Sequence, residues 1–193
     1  MSQDKKENRI TCLIALMTAV VLYVVDYISK ALVSDYYNLG DSFDLFPYLL
    51  EFRYTHNYGA AFGILQNQRE LFLILTVVLL GVGLWLLLSE RIKNPICIWA
   101  FALILCGGFG NMTDRIFNTG GYVVDFLCFK FQWFPYIFNI ADICVVVGGA
   151  FLVWYLIIDL MQTQKNQKKV SDAEPESDEL MTAEEFFSSE EAQ

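Results

Sequence analysis

Apolar residues along this chain gather into four long blocks that show no amphipathic period. The first covers residues 10–25 and continues less cleanly to 33. The second, 71–88, runs for 18 residues without a charge; the third spans 96–117 and the fourth 140–158. A helix half in water would place polar residues on every turn, so unbroken blocks of this length predict hydrocarbon as the solvent. Each block reaches or nearly reaches the roughly 20 residues needed to cross a bilayer. Four crossings put both termini on the same side.

The segments between the blocks are not plain linkers. Residues 34–70 contain L-L-E-F-R-Y-T-H-N-Y-G-A-A-F-G, in which Glu51, Arg53 and Thr55 alternate with Phe52, Tyr54 and His56. Residues 118–139 contain Y-V-V-D-F-L-C-F-K-F-Q-W-F-P-Y. Both are rich in β-branched and aromatic residues, which predicts short strands. Unpaired backbone cannot enter hydrocarbon, so the strands are expected to lie as a small sheet at the surface, with Trp133, Phe134 and Tyr136 forming an interfacial belt. The expected architecture is an all-α membrane protein: four transmembrane helices with a small extracytoplasmic β-sheet built from the two outer loops. No internal repeat is visible.

Basic residues orient the spans. Lys5, Lys6 and Arg9, then Arg91 and Lys93, then Lys165, Lys168 and Lys169 put eight on one side; Arg53, Arg69 and Lys130 put three on the other. The excess marks the cytoplasmic side, so both termini are expected there. The first block has the basic lead of a signal peptide. However, Asp26 and Lys30 occupy the region of a cleavage site and no A-x-A follows, so an uncleaved helix is expected.

Composition supports the bilayer reading: 55% of the 193 residues are hydrophobic and 18% charged, against about a quarter charged in soluble domains. The net charge of −9 is local. Nine of the 22 acids fall in residues 171–193 with no base among them, which leaves 13 acids against 13 Lys plus Arg in the body. A neutral body excludes a nucleic-acid binder that works through a general basic field. The chain therefore divides into a membrane body, 1–163, and a charged, acidic tail, 164–193, expected to be disordered and cytoplasmic. Five cysteines without C-x-x-C spacing and a single histidine, His56, predict neither a metal site nor any other cofactor. The cysteines read as small hydrophobes.

Charge at membrane depth costs about 3 kcal/mol per residue on insertion scales, so each charged residue there needs a reason. The residues in question are Asp26 and Lys30 in the first block, Asn111, Asp114 and Arg115 in the third, and Asn139 and Asp142 in the fourth. The first and third helices run outward and carry these residues toward their ends, whereas the fourth runs inward and carries them at its start. All converge near the outer face, beside Asn57. Asn111, Asp114 and Arg115 share one helix face, as do Asn139 and Asp142. Plain ion pairing explains Asp26 with Lys30, spaced i and i+4, and leaves Asp114 and Asp142 as two acids at similar depth. Two carboxylates sharing a site support acid/base hydrolysis, cation binding or proton coupling. A metal calls for more oxygen or histidine ligands, and a transporter for repeat symmetry with polar residues at the midplane. Clustering at one face favours hydrolysis, with a carboxylate-gated transporter or a structural, partner-binding membrane subunit as the rivals.

At these residues the chain resembles the bacterial lipoprotein signal peptidases, the signal peptidase II family, over roughly residues 10–160. V-V-D-Y-I-S-K (24–30) is similar to the family's first-helix Asp and Lys motif. N-Y-G-A-A-F-G (57–63) is similar to its Asn-x-Gly-Ala-Ala-Phe segment. G-G-F-G-N-M-T-D-R (107–115) resembles the G-N-x-x-D-R motif, and V-V-D-F followed by F-N-I-A-D (138–142) resembles the region of the second aspartate. The resemblance implies an aspartic endopeptidase of the bacterial inner membrane. Its partners would be prolipoproteins that bear diacylglycerol on the cysteine just after the cleaved bond, membrane lipid, and cyclic peptide inhibitors of globomycin type. It implies Asp114 and Asp142 as the catalytic pair sharing one proton. Asn111 and Asn139 would orient the pair or hold substrate, Asn57 would contact either, Arg115 would brace Asp114 or a loop, and Asp26 and Lys30 would support. It assigns His56 no role. Gly107, Gly108 and Gly110 read as helix-packing positions.

The charge bias makes topology testable. A cysteine placed at Ser42 is expected to react with an impermeant thiol reagent applied outside intact cells, and one placed at Ser177 is not. Labelling at both positions would contradict four spans with both termini inside.

Overall fold

The computed structural model describes residues 3–59, 69–89, 91–131 and 136–173. In chain order the elements are α1 (Gln3–Tyr36), β1 (Ser42–Phe46), β2 (Leu50–Asn57), α2 (Arg69–Leu88), α3 (Pro95–Phe117), β3 (Val123–Phe129), β4 (Ile137–Phe138) and α4 (Ile140–Ala173). All four apolar blocks are helical. Among the described residues, three stretches are long and apolar enough to cross a membrane: Lys5–Tyr36, Pro95–Phe117 and Ile140–Lys169. The apolar stretch of α2, Leu73–Leu88, is shorter.

Local chemistry sets the helix starts. Asn94 caps α3 by accepting the Ile96 N–H at 2.8 Å, and Pro95 follows where no amide partner is needed. At α4 the sequence N-I-A-D forms a reciprocal capping box. The Asn139 side chain accepts the Asp142 N–H at 3.0 Å, while Asp142 Oδ2 accepts the Asn139 N–H at 3.1 Å. The intervening Ala141 N–H donates to Asp26 Oδ1 of α1 at 2.8 Å, so a carboxylate from another helix completes the cap.

Both loop segments contribute to one antiparallel sheet of order β1-β2-β3-β4. β1 lies at the edge and is exposed throughout, whereas β3 is buried at five of its seven positions. The alternation of β3 decides what each face sees. Val124 and Phe126 join Val33, Phe52 and Tyr54 in an apolar cluster, which turns Asp125 to the other face. The register pairs Thr55 with Asp125 and Asn57 with Val123, so Asn57 and Asp125 become diagonal neighbours on that face.

The chain forms two compact units, Met1–Leu152 and Val153–Gln193. The first holds the sheet and the polar residues discussed below. In the second, helix continues to Ala173 through a stretch of Gln and Lys that contains no Gly or Pro. The expected disordered tail is therefore helical over 164–173. Its remainder, 174–193, lies outside the described residues, as do residues 60–63 of the N-Y-G-A-A-F-G segment and the belt residues Trp133 and Phe134.

Glycines set how closely α3 meets α4. A Cβ on Gly107 would run into the Ala141 carbonyl and come within 2.6 Å of Val145 Cγ2; one on Gly148 would fall 2.7 Å from the Ala100 carbonyl oxygen. A Cβ on Gly110 would fall 2.6 Å from Asp26 Oδ2, and one on Gly108 2.9 Å from Leu80. A Cβ on Gly149 would meet nothing within 4 Å. Gly107→Ala is thus expected to lower the thermal midpoint of the detergent-solubilised protein, at an overpacking cost of about 1–3 kcal/mol. Gly149→Ala is expected to hold or raise it through helix propensity. An unchanged midpoint for Gly107→Ala would contradict the close approach.

Candidate active site

Three helices and the sheet bring polar side chains together at the start of α4. Lys30 is the hub of one half. Its Nζ lies 2.8 Å from Asp26 Oδ2 and 3.2 Å from Asp114 Oδ2, and donates to Asn111 Oδ1 at 3.0 Å. Lys30 is 3% exposed and Asp26 1%. Asp26 Oδ2 has no aligned hydrogen bond, so the ammonium neutralises it by charge at short range. Asp114 Oδ2 also accepts the Val124 N–H at 3.0 Å and so fastens β3 to α3.

The other half is centred on Asn139. Its Nδ2 donates to Asp125 Oδ1 at 2.6 Å, with longer contacts to Asn111 Oδ1 at 3.0 Å and the Val124 carbonyl at 3.3 Å. Its own N–H and carbonyl side chain hold Asp142 in the capping box described above. One asparagine thereby touches both Asp125 and Asp142. Asn57 Nδ2 donates to the other Asp125 oxygen at 2.9 Å, and Asn111 Nδ2 donates to Asp142 Oδ1 at 2.7 Å.

The orientation of each amide is dictated by a neighbour that can only donate. Lys30 fixes the oxygen of Asn111, the Asp142 N–H fixes that of Asn139, and the Gly59 N–H, at 2.9 Å, fixes that of Asn57. Every one of the three then turns its NH₂ toward Asp125 or Asp142. The result is two carboxyl groups at one site, each receiving two donors.

Asp114 and Asp142, the expected pair, meet different partners. Asp114 spends its carboxylate on Lys30 and on the β3 backbone, while the acid that the negative charge of Asp142 acts on is Asp125. Burial pushes the Asp125 carboxyl up to about 7; Asp142 adds to the rise, and the hydrogen bonds from Asn57 and Asn139 oppose it. Asp125 is 1% exposed. The apolar blocks do not single it out, because it lies in a strand segment rather than in one of them. The available signal was a lone acid between Val124 and Phe126, in a strand too apolar for a solvated charge.

Arg115 and His56 lie beside these acids in different settings. Arg115 donates to the Asn111 carbonyl at 3.2 Å and to the Gly59 carbonyl at 2.9 Å, which ties α3 to the chain leaving β2. His56 stacks on Tyr122 with ring centroids 3.5 Å apart and shares a 2.9 Å hydrogen bond with the Tyr54 hydroxyl. Burial lowers its pKa from the ordinary value, and the ring is a member of an aromatic cluster. Among the described residues, no group of three or more His, Cys, Asp and Glu side chains is placed to hold a metal ion.

Comparison with known proteins sets this geometry in context. A family model described as signal peptidase (SPase) II matches residues 18–158. A lipoprotein signal peptidase of Symbiobacterium thermophilum is 36% identical over 76% of this chain and 95% of its own length. That of Haemophilus influenzae strain Rd is 34% identical over 83% and 92%, and that of Caldanaerobacter subterraneus 39% identical over 72% and 93%. Among solved structures, a bacterial membrane enzyme determined at 2.3 Å by the in meso method superposes with a TM-score of 0.71 and 30% identity, covering 76% of this chain and 88% of that one.

Proposed function

The chain belongs to the signal peptidase II family, and from that membership we propose that it is an aspartic endopeptidase whose catalytic pair is Asp125 and Asp142. It removes the signal peptide from diacylglyceryl-modified prolipoproteins and cleaves just before the lipidated cysteine. The observation that carries the pairing is Asn139, whose single side chain and backbone N–H reach both carboxyl groups. The enzyme sits in the bacterial inner membrane as four spans with both termini cytoplasmic and the sheet at the outer face. The eight-to-three basic bias and the grouping of Asp26, Lys30, Asn111, Asp114 and Asp142 at one end of the helices support that orientation.

The mechanism follows from the donor pattern. Both oxygens of Asp142 accept donors that have no alternative role, and it occupies the first turn of α4, where the helix dipole attracts negative charge. It is the carboxylate that takes a proton from water. Asp125, near 7, holds the proton of the pair and donates it to the oxygen of the scissile carbonyl as the water attacks. Collapse of the tetrahedral intermediate breaks the C–N bond: the proton gathered on Asp142 passes to the departing amine, while Asp125 takes back the proton of the hydroxyl that becomes the new carbonyl. Asn57, Asn111 and Asn139 hold both acids in register, so the pair meets the substrate already oriented. Lys30, paired with both Asp26 and Asp114, forms the ionic base beneath them. Membrane lipid brings the diacylglyceryl substrate to this depth, and globomycin-type cyclic peptides compete for the same place.

Asp125→Asn and Asp142→Asn are each expected to lower prolipoprotein cleavage by at least about 10³-fold in protein that remains folded in the membrane, since Asn cannot hold or exchange the shared proton. Asp114→Asn, by contrast, is expected to lower the thermal midpoint while retaining measurable turnover per folded molecule. Near-normal cleavage by Asp125→Asn, or complete loss in well-folded Asp114→Asn, would return the pair to Asp114 and Asp142.

A pH profile tests the proton assignment. The raised carboxyl keeps its proton below about 7 and loses it above, so cleavage should fall on the alkaline side as pH rises through that value. Asn57→Ala removes a donor that favours the charged form and should move the alkaline limb upward. A limb that stays in place, or moves down, would remove Asp125 as the proton holder.

A further inference from the structure

We propose that Cys106 and Cys144 form an oxidisable dithiol between α3 and α4, a modification site that shuts the catalytic pair when it closes to a disulfide. Their sulfurs lie 3.8 Å apart in van der Waals contact, and both residues are buried, 3% and 4% exposed, in the apolar cluster with Leu105 and Leu80. The glycine contacts bracket the pair. On one side Gly107 meets Ala141 and Val145, and on the other Gly148 meets Ala100 and Ile104. The two backbones are therefore in close approach both above and below the sulfurs, as a disulfide requires. The remaining three thiols are placed differently: Cys128 donates to the Phe129 carbonyl on the sheet, Cys12 is half-buried near the start of α1, and Cys97 is buried in the first turn of α3.

The reaction balances with a membrane-soluble two-electron oxidant of the quinone class. Two S–H bonds break, one S–S bond forms, and two electrons with two protons convert quinone to quinol. The apolar setting suits such an oxidant better than a charged aqueous one. Closing the bond brings the sulfurs to about 2.05 Å. Gly107 already touches α4, so the helices cannot simply move together at this level; the change is taken up by rotation of one helix against the other. Asn111 lies five residues beyond Cys106, and Asp142 two before Cys144, so the 2.7 Å contact between them takes up that rotation. Misplacement of reacting groups by about 1 Å can cost roughly 10²-fold in rate.

The inhibition rests on the peptidase reading, whereas the crosslink does not, and the test separates them. The purified full chain in detergent is treated with duroquinone, whose fully substituted ring accepts electrons without adding to thiols, and then digested for mass spectrometry. A peptide linking Cys106 to Cys144, two hydrogens lighter than the reduced pair, is expected. Prolipoprotein cleavage should fall about 100-fold, and a dithiol reductant should restore it. Cys144→Ala, and Cys106→Ala as a second variant, should keep the basal rate, form no link and resist the oxidant. Absence of the link in the native chain would overturn the proposal. So would inhibition that persists in both variants, or a complete link with an unchanged rate. A chain that links but cleaves nothing even when reduced would support the dithiol and refute the peptidase reading.

Discussion

Lys30 carries an ammonium in a buried position where an unpaired charge is costly, and the helix ends around it are arranged to neutralise it. Asp26 lies one turn earlier on the same helix, Asp114 reaches across from α3, and the Asn111 amide supplies an acceptor. Each partner then does a second job. Asp26 accepts the Ala141 N–H at the start of α4, and Asp114 accepts the Val124 N–H of the sheet. One cation thus fastens α1 to α3 directly, and α4 and β3 through its two counter-ions. Loss of any of these links would leave a buried charge or amide without a partner, which is why the arrangement holds as a unit.

Above this base the site is built from amides. An asparagine side chain has no preference for which end it presents, and a carboxylate pair needs donors on both members. The structure resolves the choice with an ammonium and two backbone N–H groups, which only donate and so claim the amide oxygens. What remains for Asp125 and Asp142 is a set of NH₂ groups already aimed at them. The capping box at α4 makes one set of bonds do two things, because the bond that starts the helix also orients Asp142.

Relatives in the same family share about a third of their residues with this chain over most of its length. The polar constellation rests on close helix contacts that glycines permit, at Gly107 and Gly110 in α3 and Gly148 in α4. Only without a Cβ can Asp26 pass close to α3 and still reach the α4 amide. The exposed edge strand β1 and the buried central strand β3 differ for a related reason. β3 is flanked by strands on both sides and packs against the helix ends, so its one acid is desolvated, whereas the acid of β1, Asp44, stays in solvent with Lys130.

The helices were legible in the sequence because a bilayer selects on local composition: an unbroken apolar block needs no knowledge of its neighbours to be helical. The convergence of Asp26, Lys30, Asn111, Asn139 and Asp142 was legible too, since alternating chain direction puts their ends at one face. Which of the remaining acids is held by a cation and which by amides was not. Asp114 and Asp125 are both acids close to the same end, and spacing along the chain cannot say which is already neutralised. That was decided by the strand register that sets Asp125 diagonal to Asn57, by the pleat that turns it away from the apolar cluster, and by the reach of Lys30 across to Asp114. Register and cross-helix reach are properties of the packed structure. An acid held by a buried cation is chemically different from one held only by amides, and only packing distinguishes the two.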